Sequence, residues 1–509
     1  MPNYSVCNAC KEKVPAHHEK RQGKVWLVKE CGRCGRTETL VSSNAARWRA
    51  KRAIMGAAAT GGGCDFRCRL CDHPVAPQTI FLDITNRCDL DCPICIANVP
   101  HMGFRFEPPL AYFEKIFNDL ARRQPVPSVK LFGGEPVVRR DLPDIVRLAH
   151  ARGIPVAVVT NGIGLANEER CRRLLETGAR LIFAFDGFDP DTYRLLRDSA
   201  RALDLKLKAL ENVRKYRKAK ITLMCVLAKG INDREVPKLL RFCHERQDFI
   251  NALQFIPLTM TWEPGTVEAE RGAITAMEDV EDIIAASVPG GELEFLPAGL
   301  VPCPTLGRYF NLSRSTFAGA HPNCESMTFL ISNGKEYVPV RRYLKTSLYQ
   351  AVAALIAADR RLARRLARLE HHALGRLALA AGADRLLALA TAARWFFTHV
   401  RLHDILGPDA GARLGRIASG LLRGTQLKTL LKQNLAVGNL LFIVVLPFEE
   451  PRTLESERLV RCPAAFAYED PDTRQVRTMP VCAWCLHKDD ILRRIQALYP
   501  VAAAAADAP

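Results

Sequence analysis

Residues 81–95, FLDITNRCDLDCPIC, decide how the rest of the chain is read. The run 79–85, TIFLDIT, is apolar and β-branched and predicts a buried strand. Cys88, Cys92 and Cys95 follow at spacing C-x3-C-x2-C, on the loop at the strand's C-terminal end, where barrel enzymes place their chemistry. Three soft thiolates this close together suit a cubane [4Fe-4S] cluster, which takes one sulfur ligand per iron. Three ligands for four irons leave one iron open to a small molecule. A structural zinc ion or a set of buried thiols would use the same residue type, so the motifs that follow carry the decision.

From residue 78 to 265 short apolar runs alternate with amphipathic helical patterns, the signature of βα units. Strands are expected at 79–85, 128–132, 155–160, 180–186, 220–228 and 252–257, enough for an open (β/α)6 barrel. Gly133, Gly134, Glu135 and Pro136 close the second strand. Glycine backbone approaches a ligand closely, and the carboxylate-bearing loop can hold an amine. Thr160, Asn161 and Gly162 close the third strand, and Asp186 and Gly187 the fourth, where polar groups face a barrel mouth. Asn-Gly and Asp-Gly are also favoured turn pairs, so turn chemistry explains them equally well. Asn232 and Asp233 after the fifth strand read as a helix cap. Residues 259–264, TMTWEP, are placed to line a substrate channel.

Eighteen cysteines with no secretory leader point to metal rather than disulfides. Cys7, Cys10, Cys31 and Cys34 form two CxxC knuckles, the donor set of a tetrahedral four-sulfur site holding iron or zinc. Cys64, Cys68 and Cys71 repeat the C-x3-C-x2-C spacing behind a glycine run and without a preceding strand, which assigns them to an auxiliary cluster. Cys303, Cys324, Cys462, Cys482 and Cys485 bring the auxiliary thiols to eight, enough for two more cubanes. Which of the five joins the first trio stays open. Cys171, Cys225 and Cys243 stand alone and read as ordinary buried thiols.

The net charge of +18 is unevenly placed: residues 341–432 hold 17 Lys/Arg against 5 Asp/Glu. Leu355, Leu362, Leu366 and Leu369 share one helical face while Arg360, Arg361, Arg364, Arg365 and Arg368 cover the other. This pattern predicts a helix packed on its own protein with a solvated basic face, or one that meets a membrane surface. The apolar stretch 435–448 is too short to span a bilayer, so the chain is expected in the cytoplasm, with peripheral contact at the membrane's inner face. Few aromatic residues accompany the arginines, which disfavours nucleic acid as the partner.

These readings divide the chain into six parts. They are a rubredoxin- or zinc-ribbon-like module (1–55), an auxiliary cluster loop (56–77), the barrel (78–265), a barrel extension with further cysteine ligands (266–346), a basic amphipathic helical region (347–440) and a C-terminal auxiliary cluster segment with tail (441–509). The fold class is α/β.

The chain resembles the radical S-adenosylmethionine (SAM) superfamily through its cluster loop and GGEP, and within it the tetraether lipid synthase family. The finer resemblance rests on the double-CxxC module, GCDFRCRLC, DITNRCDLDCPIC, FGGEPVVRRDLP, DGFDPDTYRLLR, KGINDREV, HPNC and the closing RC…MPVC pair. It implies one SAM-binding [4Fe-4S] cluster at Cys88, Cys92 and Cys95, two auxiliary clusters and a mononuclear iron at the N-terminal cysteines. It also implies Gly133–Pro136, Thr160, Asn161 and Asp186 around SAM, and ferredoxin or flavodoxin as electron donor. The implied reaction joins unactivated carbons of lipid alkyl chains. The alternative is a radical SAM methylase or modifier of a small cofactor such as a pterin. Outside enzymes, the rivals are an Fe-S electron carrier and a basic nucleic-acid-binding protein; GGEP argues against a mere carrier, which needs no SAM cradle. The insertion between Cys303 and Cys324, the extra Cys485 and the basic helical region depart from the family pattern.

Overall fold

The computed structural model describes residues 3–55, 64, 66, 68–69, 71, 73, 75–258, 275–290, 292–300, 303–310 and 317–500. The expectations for residues 259–264, for 61–63 of the glycine run, for 311–316 of the insertion after Cys303 and for the tail from 501 fall outside the described residues.

The N-terminal module is an antiparallel sheet of β1 (Asn3–Val6), β2 (Lys13–Arg21), β3 (Lys24–Cys31) and β4 (Gly35–Ser42), paired in chain order. Val14 and Ala16 alternate inward along β2, as strand periodicity requires. The helix Ala45–Met55 closes the module and is capped by Asn44, whose Oδ1 accepts from the Ala46 and Arg47 N–H groups at 3.1 Å each. Its Trp48 packs on Val25. The module is tied to the C-terminal segment: Asn3 Nδ2 donates to Glu455 Oε2 (2.7 Å), Ser5 Oγ to the Leu454 carbonyl (2.5 Å), and the buried Lys29 Nζ to the Pro451 carbonyl (2.6 Å).

Next come six parallel strands, each neighbour to the one before. They are β5 (Thr79–Thr85), β6 (Ser128–Gly133), β7 (Val156–Thr160), β8 (Arg180–Ala184), β9 (Ile221–Leu227) and β10 (Ile250–Pro257). Their bounds lie within two residues of the expected ones. Every residue of β5 is buried, which matches an apolar run flanked on both faces. Helices between the strands bury one stripe each; Leu110–Leu120 turns Tyr112, Phe113, Ile116, Phe117 and Leu120 into the core.

The sheet does not stop at six strands. After β11 (Leu296–Pro297) and the hairpin β12 (Ser326–Ser332) and β13 (Tyr337–Pro339), the chain returns as β14 (Leu440–Val445), parallel to β10 and antiparallel to β12. At the opposite edge β15 (Ala464–Glu469) pairs parallel with β5, and β16 (Val476–Pro480) pairs antiparallel with β15. One C-terminal segment therefore covers both open edges of the barrel, where unpaired N–H and C=O groups would otherwise face solvent.

Between β13 and β14 lies the helical region. Its longest helix, Leu348–Glu370, starts at a capping box of Ser347 and Gln350. Leu362 and Leu366 are buried against Leu306 and Ala388, and the five arginines 360, 361, 364, 365 and 368 are exposed. The apolar face of this helix is thus spent inside the protein. Among the described residues no helix is long and apolar enough to cross a membrane.

Candidate active site and metal centres

The loop after β5 is held from both sides. Arg87 makes a bidentate pair with Glu107 (2.6 and 3.1 Å), and Asn86 Oδ1 accepts from the Phe106 N–H (2.7 Å). On this frame Cys88, Cys92 and Cys95 are each half-buried, and the Cys95 N–H donates to the Cys92 carbonyl (3.1 Å). Burial pushes the Cys88 and Cys92 thiols up, so their thiolates need positive or donor partners. Two are present. Asn161 Nδ2 stands 3.9 Å from Cys88 Sγ, and Arg197 reaches Cys92. Three adjacent cysteines, two of them with a donor at the sulfur, fit a [4Fe-4S] cluster.

Gly133 and Gly134 press the end of β6 onto that loop. Gly133 sits at φ +122°, and a Cβ there would lie 2.3 Å from the Thr85 carbonyl oxygen; one on Gly134 would lie 2.1 Å from that of Arg87. Their missing side chains serve approach to the cysteine loop, whereas the sequence reading had them approaching a ligand. The Gly134 and Glu135 N–H groups donate to the Thr85 and Arg87 carbonyls at 2.7 and 2.8 Å. Glu135 is buried, and its carboxylate accepts from Val137 N–H (2.9 Å), Thr160 Oγ1 (2.7 Å) and Asn161 N–H (2.6 Å). Burial and the nearby Asp89 push this carboxyl up to about 7 despite those donors. Glu135 joins the β6 and β7 loops, and its oxygens are occupied by the protein itself. Pro136 starts the short turn that follows.

Asp186 is also turned inward. Its carboxylate pairs with Arg197 (2.8 and 2.9 Å) and accepts from the Val226 N–H (3.0 Å). Burial opposes its ionisation, but Arg197 holds the carboxyl below its usual range. Beside it the buried Lys206 donates to the Asn161 carbonyl (2.5 Å) and the Ala184 carbonyl (2.8 Å), tying β7 to β8. Arg197 and Lys206 were not singled out from sequence. Arg197 lies in the DGFDPDTYRLLR motif, but nothing in that motif shows that the helix Pro190–Arg197 carries it back to a cluster cysteine.

The N-terminal four cysteines converge, all four sulfurs lying within 4.8 Å of one another and Cys10 Sγ 3.8 Å from Cys31 Sγ. A tetrahedral ion with metal–sulfur bonds of about 2.3 Å requires sulfurs about 3.8 Å apart. The Cys10 N–H leads in bringing the Cys7 thiol down to about 6, while Cys34 is pushed up to about 12, first by its bond to Cys10. Crowded thiols competing for one negative charge are what a divalent ion relieves.

The structure sorts the remaining cysteines. Cys324, Cys462 and Cys482 influence one another's ionisation and share two neighbours: Arg458 lies 3.8 Å from Cys324 Sγ, and the Glu449 N–H donates to Cys482 Sγ (3.4 Å). Cys68 is buried, with Cys64 and Cys71 half-buried. This second trio lies over β15 and β16: Arg477 donates to the Arg69 carbonyl (2.8 Å), and His73 meets the Cys462 carbonyl (3.1 Å). Cys303 packs elsewhere, with Leu306, Leu362 and Leu366. Cys485 lines a cavity with Phe81, Phe132, Phe466, Trp484, Asp83 and Lys488, reaching Ile96 and Ala97 directly after the cluster cysteines.

Residues 82–243 match the family model of the radical SAM superfamily, and residues 3–43 that of the HMPTM N-terminal zinc ribbon domain. The chain is a radical SAM enzyme with an N-terminal zinc ribbon. It is similar to the 7,8-dihydro-6-hydroxymethylpterin dimethyltransferase of Methanocaldococcus jannaschii, 28% identical over 355 residues that cover 67% of this chain and 70% of that protein. It is also similar to the GTP 3′,8-cyclase of Marinobacter nauticus, 32% identical over 212 residues, 40% of this chain and 61% of the cyclase. The cyclase of Listeria monocytogenes is 29% identical over 188 residues, 35% and 54% of the two chains. This chain thus spans little more than half of the cyclases. Among solved structures, Streptococcus suis SuiB bound to S-adenosylmethionine matches 42% of this chain and 47% of its own at TM-score 0.35 and 17% identity.

Proposed function

We propose that this enzyme uses SAM-derived radical chemistry to methylate or otherwise modify a small planar cofactor of the pterin class. The observation that carries the reading is the similarity, over 67% of this chain, to a protein named as a pterin dimethyltransferase. Beside the cluster loop, Phe81, Phe132, Phe466 and Trp484 pack on one another around a space of about 30 Å³, with Asp83 and Lys488 also on its wall.

The chemistry that the cluster and SAM supply together is removal of a hydrogen atom from an unactivated carbon. The chain's own residues do the rest. Cys88, Cys92 and Cys95 hold the cluster, while Asn161 and Arg197 compensate sulfur charge. Glu135, Lys206 and the paired glycines fix three strand ends around it. Trp484 and β15 close the edge beside β5. The two further trios, Cys64/Cys68/Cys71 and Cys324/Cys462/Cys482, are candidates for auxiliary clusters.

A second reading, carbon–carbon joining of lipid alkyl chains at a membrane surface, keeps the resemblance to tetraether lipid synthases. It is favoured by Leu374, Leu377, Leu386 and Leu422, which are 82, 69, 59 and 65% exposed on the helices that accompany the arginine face.

Anaerobic incubation with SAM, dithionite and either a deuterated reduced pterin or deuterated lipid, read by mass spectrometry, separates the two. Deuterium in 5′-deoxyadenosine and a SAM-derived carbon in the pterin are expected. Deuterium from lipid, with a product lighter by two hydrogens and no added carbon, overturns the pterin reading in favour of coupling.

A further inference from the structure

Outside the barrel, between the turn after Glu135 and the helix Glu168–Glu176, lies a surface cavity of about 340 Å³ walled by Val137, Val138, Arg140, Arg170 and Arg173. The three arginines are exposed and, among the described residues, form no ion pair. Their neighbours show the contrast: Arg139 is paired with Asp141 (2.7 Å), and Arg172 with Glu169 (2.7 Å). Glu169, the one carboxylate on the cavity wall, is therefore already engaged.

The cavity wall connects to the cluster loop by two short routes. The Val137 N–H donates to Glu135 (2.9 Å), Glu135 accepts from the Asn161 N–H (2.6 Å), and the Asn161 side chain stands 3.9 Å from Cys88 Sγ. Separately, the Val138 carbonyl accepts from Arg87 (3.2 Å), whose backbone is bonded to Cys88. The positive patch thus lies on the back of the cradle that holds the cysteines, away from the cavity at Asp83.

We propose that Arg140, Arg170 and Arg173 form the docking site of an acidic one-electron carrier protein. Radical SAM chemistry needs an electron from outside the chain. Here one electron leaves the reduced carrier and arrives at the cluster held by Cys88, Cys92 and Cys95; no bond or proton moves. Redox partners meet over small, charge-steered interfaces, and three unpaired guanidinium groups supply that steering. Carboxylates on the carrier find bidentate donors there. The proposal rests on the radical SAM reading and is independent of which substrate is modified.

The test uses the cluster-loaded enzyme, an acidic flavodoxin and the triple variant Arg140→Glu/Arg170→Glu/Arg173→Glu. Flavodoxin affinity is measured directly in rising salt, and 5′-deoxyadenosine formation is followed with reduced flavodoxin and, separately, with dithionite. The wild type should bind less tightly as salt rises. The variant should lose about tenfold or more in affinity and in flavodoxin-driven rate, with the dithionite-driven rate unchanged. If the dithionite rate also falls, the charge-neutral Arg→Gln triple variant replaces it and must show the selective loss. Unchanged flavodoxin affinity in a variant that retains dithionite-driven cleavage overturns the proposal. So does arginine-dependent binding of inorganic pyrophosphate with carrier affinity unaltered, which would assign the cavity to a small anion.

Discussion

Trp484 Nε1 donates to Asp83 Oδ2 at 2.8 Å, joining the C-terminal segment to the first barrel strand beside the cluster loop. The indole also stacks on Phe466 of β15, so the strand that covers β5 and the ring that partners Asp83 form one unit.

Trp484→Phe should keep the stacking surface and remove the donor. Burial already pushes the Asp83 carboxyl up, so the loss leaves a buried acid with one partner fewer. We expect a loss of about 1–3 kcal/mol in unfolding free energy by denaturant titration. SAM cleavage should persist while modified product falls, because Asp83 lies beside the cluster loop and the loop itself is unaltered. Equal loss of cleavage and product would place the residue in cluster support instead.

The N-terminal ribbon should depend on its ion. Cys31→Ser with Cys34→Ser removes half of the sulfur tetrahedron and should release one metal equivalent per chain by elemental analysis. With the ion gone, β1 and β3 lose the frame that presents Asn3, Ser5 and Lys29 to residues 451–455. Limited proteolysis should then cut within residues 3–43 while the barrel stays intact. Full metal content in the variant would show that the four sulfurs are not its ligands.

How far sequence carries is seen at β5 and β14. TIFLDIT followed by three close cysteines could be read because its strand and its loop are local in the chain. LLFIVV is as apolar and β-branched as TIFLDIT, but the sequence reading takes it only as a stretch too short to span a bilayer, because its place beside β10 depends on a crossover through the whole helical region. Glu135 and Asp186 were legible as important positions, but their roles were not. A carboxylate after GG reads as a ligand, and only the fold brings Val137, Thr160 and Asn161 to its oxygens. Cys303 shows the same limit, since cysteine arithmetic counted it with the auxiliary thiols and the fold packs it among leucines.

Replacing Cys88, Cys92 and Cys95 together by Ala should lower iron and sulfide by one cubane and abolish 5′-deoxyadenosine formation. The ribbon metal and the secondary structure, read by elemental analysis and circular dichroism, should stay. Retained SAM cleavage in this variant would remove the loop from the chemistry altogether.

Lys206 provides a pH test of the same region. Burial brings its ammonium down to about 8, with Asp186 opposing the shift. In the unfolded chain a lysine titrates near its ordinary value of about 10.4. Between these two values the unfolded state holds the proton and the folded state does not, so unfolding takes up protons and stability rises with pH. Below about 8 both states are charged, and the folded protein bears the full cost of a buried ammonium. Lys206→Met removes the titration. The unfolding free energy of the wild type relative to this variant should therefore climb by up to about 3 kcal/mol from pH 8 to 10.4. A flat difference across that window would mean that Asp186 and the Asn161 and Ala184 carbonyls hold the ammonium as well as water does, so that burial does not govern its titration.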